Sequence, residues 1–486
     1  MARTRTTKAA CVSLGLLLAC VPLISCTSGP VVEAPHFVEP DISTFVDAAH
    51  ELPPELVRAL ERDLGITGPE YLAAGAALSQ ANEVVQYLAT KGIDPNDVYL
   101  DGVVLKIADP NANEIASAVG AAIGTPFEAT PPAHAAVSAG GALDEHRSTS
   151  AEAGNFMAGM PIGGVINGSF QTVCTAGLNG HNVGFTSYEN WILTSGDCVA
   201  ENPGQFYVSD VTAAGSSASQ DAPLGAYKTG GVFNEPGGIA LIGVPFIPLD
   251  PNWVNPSPNV ATWSGGTGAP EGGTPVPVRG TKAPVVGAPL CKSSPVSGWT
   301  CGQILAVGFG QNGNGFTNYR SFTASVCTLP TETGAPGMSA EFFVGIARSS
   351  TWDVNCVVGD QSAPQRYTMF LSYEAVVAGD TTIRSVLNGQ WEPAINVPDP
   401  VLTSAVPLSG KCQISGTILA GVGYKVQING YVHGEYKKFT APASSTVDGT
   451  WVITADLDPG SNYQLSAWAY TESFSAVSTH LVPTAC

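Results

Sequence analysis

Eleven cysteines limit what this chain can fold into more than any other feature of its sequence. Cys11 and Cys20 lie in an N-terminal segment with a basic start and an apolar run, Ala9 to Ile24, which is the pattern of an export signal. Cys26 follows that run directly. The other eight form an even set, which predicts four disulfides in an oxidising compartment: Cys174, Cys198, Cys291, Cys301, Cys327, Cys356, Cys412 and Cys486.

The end of the export signal resembles the bacterial lipobox in Leu23-Ile24-Ser25-Cys26. This resemblance implies that the signal is cut before Cys26 and that Cys26 carries a diacylglycerol anchor. Leu17 to Cys20 is a weaker match because it shortens the apolar run, and a plain secretory peptide cut nearby is the other alternative. The run is too short to predict an ordinary membrane-spanning helix. The chain is therefore predicted to be extracytoplasmic, either lipid-anchored or secreted.

The formal net charge of −20 disfavours binding to nucleic acid and to anionic lipid. Only 12% of the residues are charged. The net negative charge is expected to keep the protein soluble, but it identifies no partner. The cysteines form no CxxC pair and no spacing to histidine that suits zinc, so neither a metal nor a cofactor is predicted.

Composition and periodicity divide the chain into seven segments. Helical spacing after Pro54 and again after Pro69, a hairpin at Asp101-Gly102 and a last helix over 113–123 predict a small α+β unit. Short β runs between Gly, Pro and Asn turns follow, with hairpins expected at Asn429-Gly430 and Asp448-Gly449. The predicted boundaries are 1–25 signal, 26–45 tether, 46–124 α+β unit, 125–155 linker, 156–388 β unit, 389–403 linker and 404–486 immunoglobulin-like β-sandwich, in which Cys412 is expected to pair with Cys486.

Three stretches of the 156–388 unit carry a family resemblance. They are Cys174-Thr175-Ala176-Gly177 with Trp191-Ile192-Leu193-Thr194-Ser195-Gly196-Asp197-Cys198, then Cys291-Lys292-Ser293 to Trp299-Thr300-Cys301, and then Cys327-Thr328-Leu329-Pro330-Thr331-Glu332-Thr333-Gly334-Ala335-Pro336. In this order they resemble the histidine segment, the second disulfide loop and the nucleophile loop of streptogrisin-like and alpha-lytic-type serine proteases, members of the trypsin-like family. Residues 46–124 resemble the pro-region of the same proteases.

The resemblance implies a mainly β fold, a chymotrypsin-like double six-stranded antiparallel β-barrel with a cleft between the barrels. It also implies a small α+β pro-domain before the barrels, and disulfides pairing Cys174 with Cys198, Cys291 with Cys301 and Cys327 with Cys356.

The resemblance places substituted residues at all three positions of the catalytic triad: Asp197 for histidine, Gly238 for aspartate and Thr333 for serine. Peptide hydrolysis on this scaffold needs a base and a carboxylate that orients it. An exposed carboxylate is about two pKa units less basic than imidazole, so Asp197 is a poor proton shuttle. Gly238 supplies no side chain, and the β-methyl of Thr333 restricts its hydroxyl. No intact catalytic residue is therefore predicted.

By the same comparison, the oxyanion loop also differs from the family's pattern. Thr331 stands where the family has glycine, and a β-branched residue resists the backbone conformation that glycine adopts. Glu332 replaces an aspartate of a buried ion pair, and Lys292 stands at the partner position, so a Glu–Lys pair is expected to brace the loop.

Few other residues could rescue the reaction. His181, the only histidine of residues 155–400, is expected in an exposed loop rather than as a relocated base. A shifted register would make Ser339 the nucleophile, still without histidine. Asp221, Asp353 and Asp360 remain stray acids that nothing places beside Thr333.

The expected function is thus binding or scaffolding at the cell surface by an inactive protease homologue, with an unknown peptide, protein or glycan as partner. An active endopeptidase that uses Thr333 is the alternative, and a structural envelope protein without a ligand is a third. Trp451 and Trp468 are candidates for stacking on sugars, although alternation along β-strands favours core positions. The 46–124 unit is expected to stay attached and to cover the cleft.

Overall fold

The computed structural model describes residues 34–129, 155–166, 169–183, 190–198, 205–208, 222–227, 239–244, 255–263, 274–310, 320–329, 332–351, 366–419, 423–438, 443–446, 449–469, 473–474, 478–484 and 486. Contacts divide the chain into Met1–Ala34 and Pro35–Cys486, and all of the described secondary structure lies in the second unit. The predicted signal peptide, Cys26 and most of the predicted 125–155 linker lie outside the described residues. None of the described helices is long and apolar enough to cross a membrane.

The first part of the chain is helical and carries a small sheet. Thr67 and Glu70 form a capping box at the start of the longest helix, which explains where that helix begins. In chain order the elements are α1 (Val46–Ala49), α2 (Pro54–Asp63), α3 (Gly68–Thr90), β1 (Val98–Asp101), β2 (Val104–Ile107), α4 (Asn113–Val119) and β3 (Ala122–Ile123). The helices predicted after Pro54 and Pro69 and the Asp101-Gly102 hairpin are confirmed.

The last helix of this unit is shorter than predicted. It ends at Val119 because Gly120 adopts a left-handed conformation with φ of +73°. The residues that follow form β3, which pairs in parallel with β2.

The next strands form most of an antiparallel sheet. The strands are β4 (Asn155–Ala158), β5 (Pro161–Ile166), β6 (Ser169–Thr175), β7 (Leu178–Asn182), β8 (Asn190–Ser195), β9 (Gln205–Val208), β10 (Ala222–Tyr227), β11 (Ile239–Val244), β12 (Asn255–Val260) and β13 (Val276–Pro277). Seven of them are ordered β7-β8-β11-β10-β9-β5-β6, and β13-β12-β4 form a separate small sheet.

A closed six-stranded barrel follows. Its region contains β14 (Gly280–Thr281), β15 (Pro289–Ser294), β16 (Gly298–Gly310), β17 (Arg320–Ala324), β18 (Pro336–Ser339), β19 (Phe342–Ser350) and β20 (Thr368–Ser372). The order β19-β18-β15-β16-β17-β20 closes because β20 pairs back with β19, which leaves no free edge in the ring. Phe322 and Phe370 stack inside at 5.2 Å between ring centroids.

The chain then returns to the first sheet through α5 (Ile383–Leu387) and β21 (Trp391–Pro393). β21 pairs with β7 and extends that sheet to eight strands. Trp391 is buried and donates a hydrogen bond from Nε1 to the carbonyl of Trp191 at 3.2 Å. The predicted 389–403 linker is therefore largely packed structure, because burial of this large indole outweighs the proline-rich composition around it.

The C-terminal region contains two sheets. Its strands are β22 (Val401–Leu408), β23 (Lys411–Thr417), β24 (Lys425–Val432), β25 (Glu435–Lys438), β26 (Ala443–Ser444), β27 (Thr450–Ala455), β28 (Asn462–Ala469), β29 (Ser473–Phe474) and β30 (Ser478–Leu481). One sheet is β22-β23-β27, and the other is built on β25-β24-β28-β29. Buried and exposed residues alternate along β27, as expected for strands covered on one face.

Two details of this region differ from the prediction. The first strand begins at Val401, three residues before the predicted boundary. Asn429-Gly430 lies inside β24 rather than at a turn, and the hairpin turns instead at His433-Gly434, where both residues have positive φ. Asp448 lies outside the described residues.

One hydrophobic core connects the helical unit, the closed barrel and the C-terminal sheets. Leu56 and Leu60 of α2, Trp299 and Phe343 of the barrel, and Tyr463 of β28 all belong to it. Burial of apolar surface therefore stabilises these three parts together.

Candidate functional site

The candidate site begins at the Cys174–Cys198 disulfide, which ties the end of β6 to a short 3₁₀ helix, Gly196–Cys198, that follows β8. The Thr194 hydroxyl donates to the carbonyl of Thr175 at 2.9 Å and fixes the two strands beside the disulfide. Asp197 lies on this 3₁₀ helix and is exposed.

The loop that carries Thr333 packs against the same disulfide. The Thr333 carbonyl accepts a hydrogen bond from the Thr175 amide at 3.0 Å and lies 3.8 Å from Cys198 Sγ. Gly334 has φ of +93°, and an added Cβ would lie 2.4 Å from the Thr175 carbonyl and from Thr194 Oγ1. Only glycine fits there without displacing its neighbours. The structure thus places the backbone of Thr333 against Cys198, the residue that follows Asp197.

Below this loop lies a fully buried ion pair. Lys292 Nζ is 2.5 Å from Glu332 Oε2, and neither side chain is exposed. Glu332 also accepts hydrogen bonds from the Ser294 hydroxyl and from the amides of Ser297 and Leu329, the last two at 2.7 Å. Burial opposes ionisation of Glu332, but the Lys292 charge and these donors hold its pKa below the ordinary value. The predicted Glu–Lys pair is confirmed.

The third triad position and the oxyanion loop are only partly described. Gly238 and Thr331 lie outside the described residues. The strand that follows Gly238 begins at Ile239, which pairs with Ser195, two residues before Asp197. In chemical terms the described part of the site offers a partly buried hydroxyl at Thr333 and an exposed carboxylate at Asp197.

His181 is buried rather than exposed, which corrects the prediction. It lies in β7, with 2% of its surface exposed, and its Nε2 is 3.7 Å from Glu392 Oε2 of β21. The unforeseen pairing of β21 with β7 covers it. His181 pairs with Asn190, five residues from Ser195, or about 16 Å along the strand. This position is unsuitable for a base acting at Thr333.

Ser339, the alternative nucleophile, is fully buried in β18, so a substrate cannot reach it. Asp221, Asp353 and Asp360 lie outside the described residues. In the part of the chain that the structure describes, no group of three or more His, Cys, Asp or Glu side chains could hold a metal ion.

The predicted disulfides are confirmed as far as the description reaches. Besides Cys174–Cys198, the structure contains Cys291–Cys301 and Cys412–Cys486. Cys327 is disulfide-bonded, and its predicted partner Cys356 lies outside the described residues.

The helical unit packs on the closed barrel beside the Cys291–Cys301 disulfide. Asp63 at the end of α2 accepts a hydrogen bond from the Cys301 amide at 2.8 Å, and Arg62 donates to the Trp299 carbonyl at 3.0 Å. Tyr71 of α3 is fully buried and donates to the Met338 carbonyl at 3.3 Å. These contacts are made to β16 and β18, the two strands that pair with β15, which carries Lys292.

Two large cavities lie where the helical unit, the barrel and the C-terminal region meet. The first, of about 690 Å³, is lined by charged and polar side chains and by Trp468. The second, of about 670 Å³, is more apolar and contains Glu341 next to Arg279, and burial raises the pKa of Glu341. Sequence reasoning missed both cavities because their walls come from segments far apart in the chain. Of the two tryptophans singled out, Trp451 is buried in the core and Trp468 is only partly buried.

Comparisons with known proteins do not identify a family for this chain. No family model matches the chain, and no curated protein matches it. Solved structures match part of it. A chymotrypsin from Cellulomonas bogoriensis is 18% identical, with 45% of this chain and 91% of that one covered, at a TM-score of 0.30. A Nocardiopsis protease is 16% identical, with 45% and 92% covered and a TM-score of 0.31. Protease A from Thermobifida fusca is 15% identical, with 49% and 100% covered and a TM-score of 0.30. Scores of this size establish neither fold nor activity.

Proposed function

We propose that this chain is an exported serine-protease homologue that has lost peptidase activity and serves as a binding or scaffold protein at the cell surface. In this proposal residues 156–388 form a chymotrypsin-like pair of β-barrels, 46–124 a retained pro-domain and 404–486 an immunoglobulin-like sandwich. Cys26 carries the lipid that holds the protein at the membrane.

One observation supports the proposal: Asp197, at the position where the resemblance expects histidine, directly precedes Cys198, whose Sγ lies 3.8 Å from the Thr333 carbonyl. A carboxylate is a weaker base than an imidazole, so it neither activates the Thr333 hydroxyl nor reprotonates a leaving amine well. His181 is buried on another part of the sheet. Removing members of a triad lowers turnover by about four to six orders of magnitude.

Features that maintain the fold are present around the altered site. The Cys174–Cys198 and Cys291–Cys301 disulfides and the buried Lys292–Glu332 pair all lie next to it. A fold that keeps these stabilising features but lacks the residues for catalysis favours a role in binding or scaffolding over a role in peptide hydrolysis.

The test is proteolysis of a mixed peptide library by the purified exported protein, read by mass spectrometry. Thr333→Ala is the key variant, and Thr351→Ala, which changes a threonine at the surface end of the β19 segment, is its matched control. We expect the three proteins to give the same background. Cleavage that disappears in Thr333→Ala and persists in Thr351→Ala would establish the alternative, a peptidase that uses Thr333.

Intact mass of the exported protein tests the rest of the proposal. We expect a chain that begins at Cys26, carries a diacylglycerol and includes the 46–124 unit. Replacing Cys26 by alanine should abolish the lipid mass. A mature chain that begins near residue 155 would contradict the retained pro-domain, and an unmodified chain would contradict the anchor.

A further inference from the structure

The cavity beside Trp468 is enclosed by three parts of the molecule. α3 contributes Glu83 and Gln86, the barrel region contributes Lys282 and Glu374, and the C-terminal sheet contributes Trp468. Its volume of about 690 Å³ lies within the range of pockets that bind small ligands.

The charges that line the cavity are balanced. Three glutamates face three cations around its wall: Glu83, Glu374 and Glu392 against Lys282, Arg384 and Lys425. Glu374 accepts hydrogen bonds from Thr281 Oγ1 and from Arg384, both at 2.6 Å, so part of this charge is neutralised locally. Such a lining favours neither a polyanion nor a polycation, because either would bring uncompensated charge. It suits an uncharged ligand that both donates and accepts hydrogen bonds.

Trp468 is the aromatic residue among those that line the cavity. It lies in β28 directly opposite Lys425 of β24 and is partly buried. Gly280 and Gly423 also line the cavity and, without side chains, leave backbone groups close to its interior. An indole face surrounded by amide, carboxylate and guanidinium groups matches a ring with C–H bonds on its face and hydroxyls at its edge.

We propose that this cavity binds a neutral oligosaccharide, with one pyranose ring against Trp468 and its hydroxyls bonded to the surrounding polar side chains. Sugar hydroxyls both donate and accept, which the mixed lining requires. Burial lowers the pKa of Lys282 to about 8, against the opposing effect of Glu83 and Glu374. Lys282 therefore remains largely a cationic donor at neutral pH.

This cavity is separate from the Thr333 loop. The loop meets β19 at Ala347, where the Gly334 amide donates to its carbonyl at 2.7 Å. Gly280, at the cavity, pairs with Phe342 at the start of β19. Phe342 and Ala347 are five residue steps apart, which corresponds to about 16 Å of strand. The inference rests on the proposed binding role but does not depend on whether Thr333 hydrolyses peptides.

The test is isothermal titration calorimetry of the purified exported protein with four neutral hexasaccharides: cellohexaose, chitohexaose, maltohexaose and xylohexaose. Trigalacturonate and triglycine serve as acidic and zwitterionic competitors. Peptidase activity is measured on the same samples, so a failure to bind sugar and a gain of hydrolysis appear as separate results. We expect saturable binding of at least one hexasaccharide and no displacement by either competitor.

The variants assign that binding to the cavity. Trp468→Ala should weaken it by about tenfold, and Trp468→Phe by less, since part of the stacking surface remains. Glu83→Gln, a change on the helical wall that leaves the sheet intact, should also weaken it. Tyr431→Ala removes an exposed aromatic of the same sheet outside the cavity and should change nothing. Thermal melts confirm that each variant is folded.

Three results would overturn the proposal. One is the absence of binding to all four hexasaccharides at about 1 mM. The second is binding that Glu83→Gln and folded Trp468 variants leave unchanged. The third is displacement of the sugar by triglycine or trigalacturonate, which would assign the cavity to a peptide or to an acidic ligand.

Discussion

Replacing Glu332 by glutamine measures how strongly the buried ion pair supports the Thr333 loop. The substitution keeps the size of the side chain but removes the ion-pair partner of Lys292 at a site with no exposed surface. Removing one partner of a buried pair destabilises a protein by about 3–5 kcal/mol, because the remaining charge is uncompensated. Four donors converge on Glu332, which places the expected loss at the upper part of that range.

The assay is urea unfolding at neutral pH, with Glu55→Gln as the matched control. Glu55 pairs with Arg58 at 3.0 Å on the surface, and exposed pairs contribute only about 0–1 kcal/mol. Replacing both buried partners, Lys292→Met with Glu332→Leu, should recover much of the loss because no charge is then left unpaired. A Glu332→Gln loss no larger than that of Glu55→Gln would refute the reasoning.

Acid titration gives an independent check of the same pair. The pKa of Glu332 is below its ordinary value of 4.5 in the folded protein. Its stabilising contribution is therefore complete above about pH 4.5 and is lost as the pH falls through the folded-state pKa. Glu332→Gln should lack this component of acid destabilisation.

Three further substitutions test other parts of the structure. Leu60→Ala should lower stability by about 2–5 kcal/mol in a single transition, since α2 shares the barrel core, and two separate transitions in calorimetry would contradict this. Gly334→Ala should lower the free energy of unfolding in urea by at least about 3 kcal/mol, because a Cβ at this position would clash with its neighbours. Gly379 has a similar φ but open space around it, so Gly379→Ala should lower the free energy of unfolding by only about 1–2 kcal/mol. Equal losses would show that crowding at Gly334 is unimportant. Lys282→Met should stabilise the protein at pH 7, because the folded state then no longer buries a charged ammonium group. The gain in stability should shrink between about pH 8 and 10.5, where lysine in the unfolded chain still binds a proton that Lys282 in the folded protein has released. A constant gain in thermal melts across that range would contradict the lowered pKa of Lys282.

Local signals in the sequence predicted those elements whose cause is local. The Asp101-Gly102 turn and the two proline-started helices follow from residues within the element itself. The Cys174–Cys198 and Cys291–Cys301 pairings and the Lys292–Glu332 pair were expected from the family resemblance. The residues that determine the turn and the two helices are adjacent in the chain, whereas Lys292 and Glu332 lie 40 residues apart.

The errors concern contacts between distant residues. His181 was expected at the surface because no residue near it in the sequence indicates that β21, more than 200 residues later, pairs with β7 and covers it. The composition of 389–403 suggested a linker, yet Trp391 finds a buried position that local composition cannot reveal. The dipeptide Asn429-Gly430 is typical of a turn, but both residues lie in β24 and pair with residues of β28.

The path of the chain from the barrel to the C-terminal sheets also determines how force passes through the molecule. After β21, the Ala394 amide donates to the Asn179 carbonyl and the Asn396 amide to the Val278 carbonyl, so the connection stays bonded to the body up to residue 396. Tension applied at the C-terminal sheets is therefore carried by this short bonded segment and by the core that these sheets share with the barrel. A protein held at one end and loaded at the other would therefore have to pull the C-terminal sheets out of this shared core as well as peel residues 391–396 from their partners.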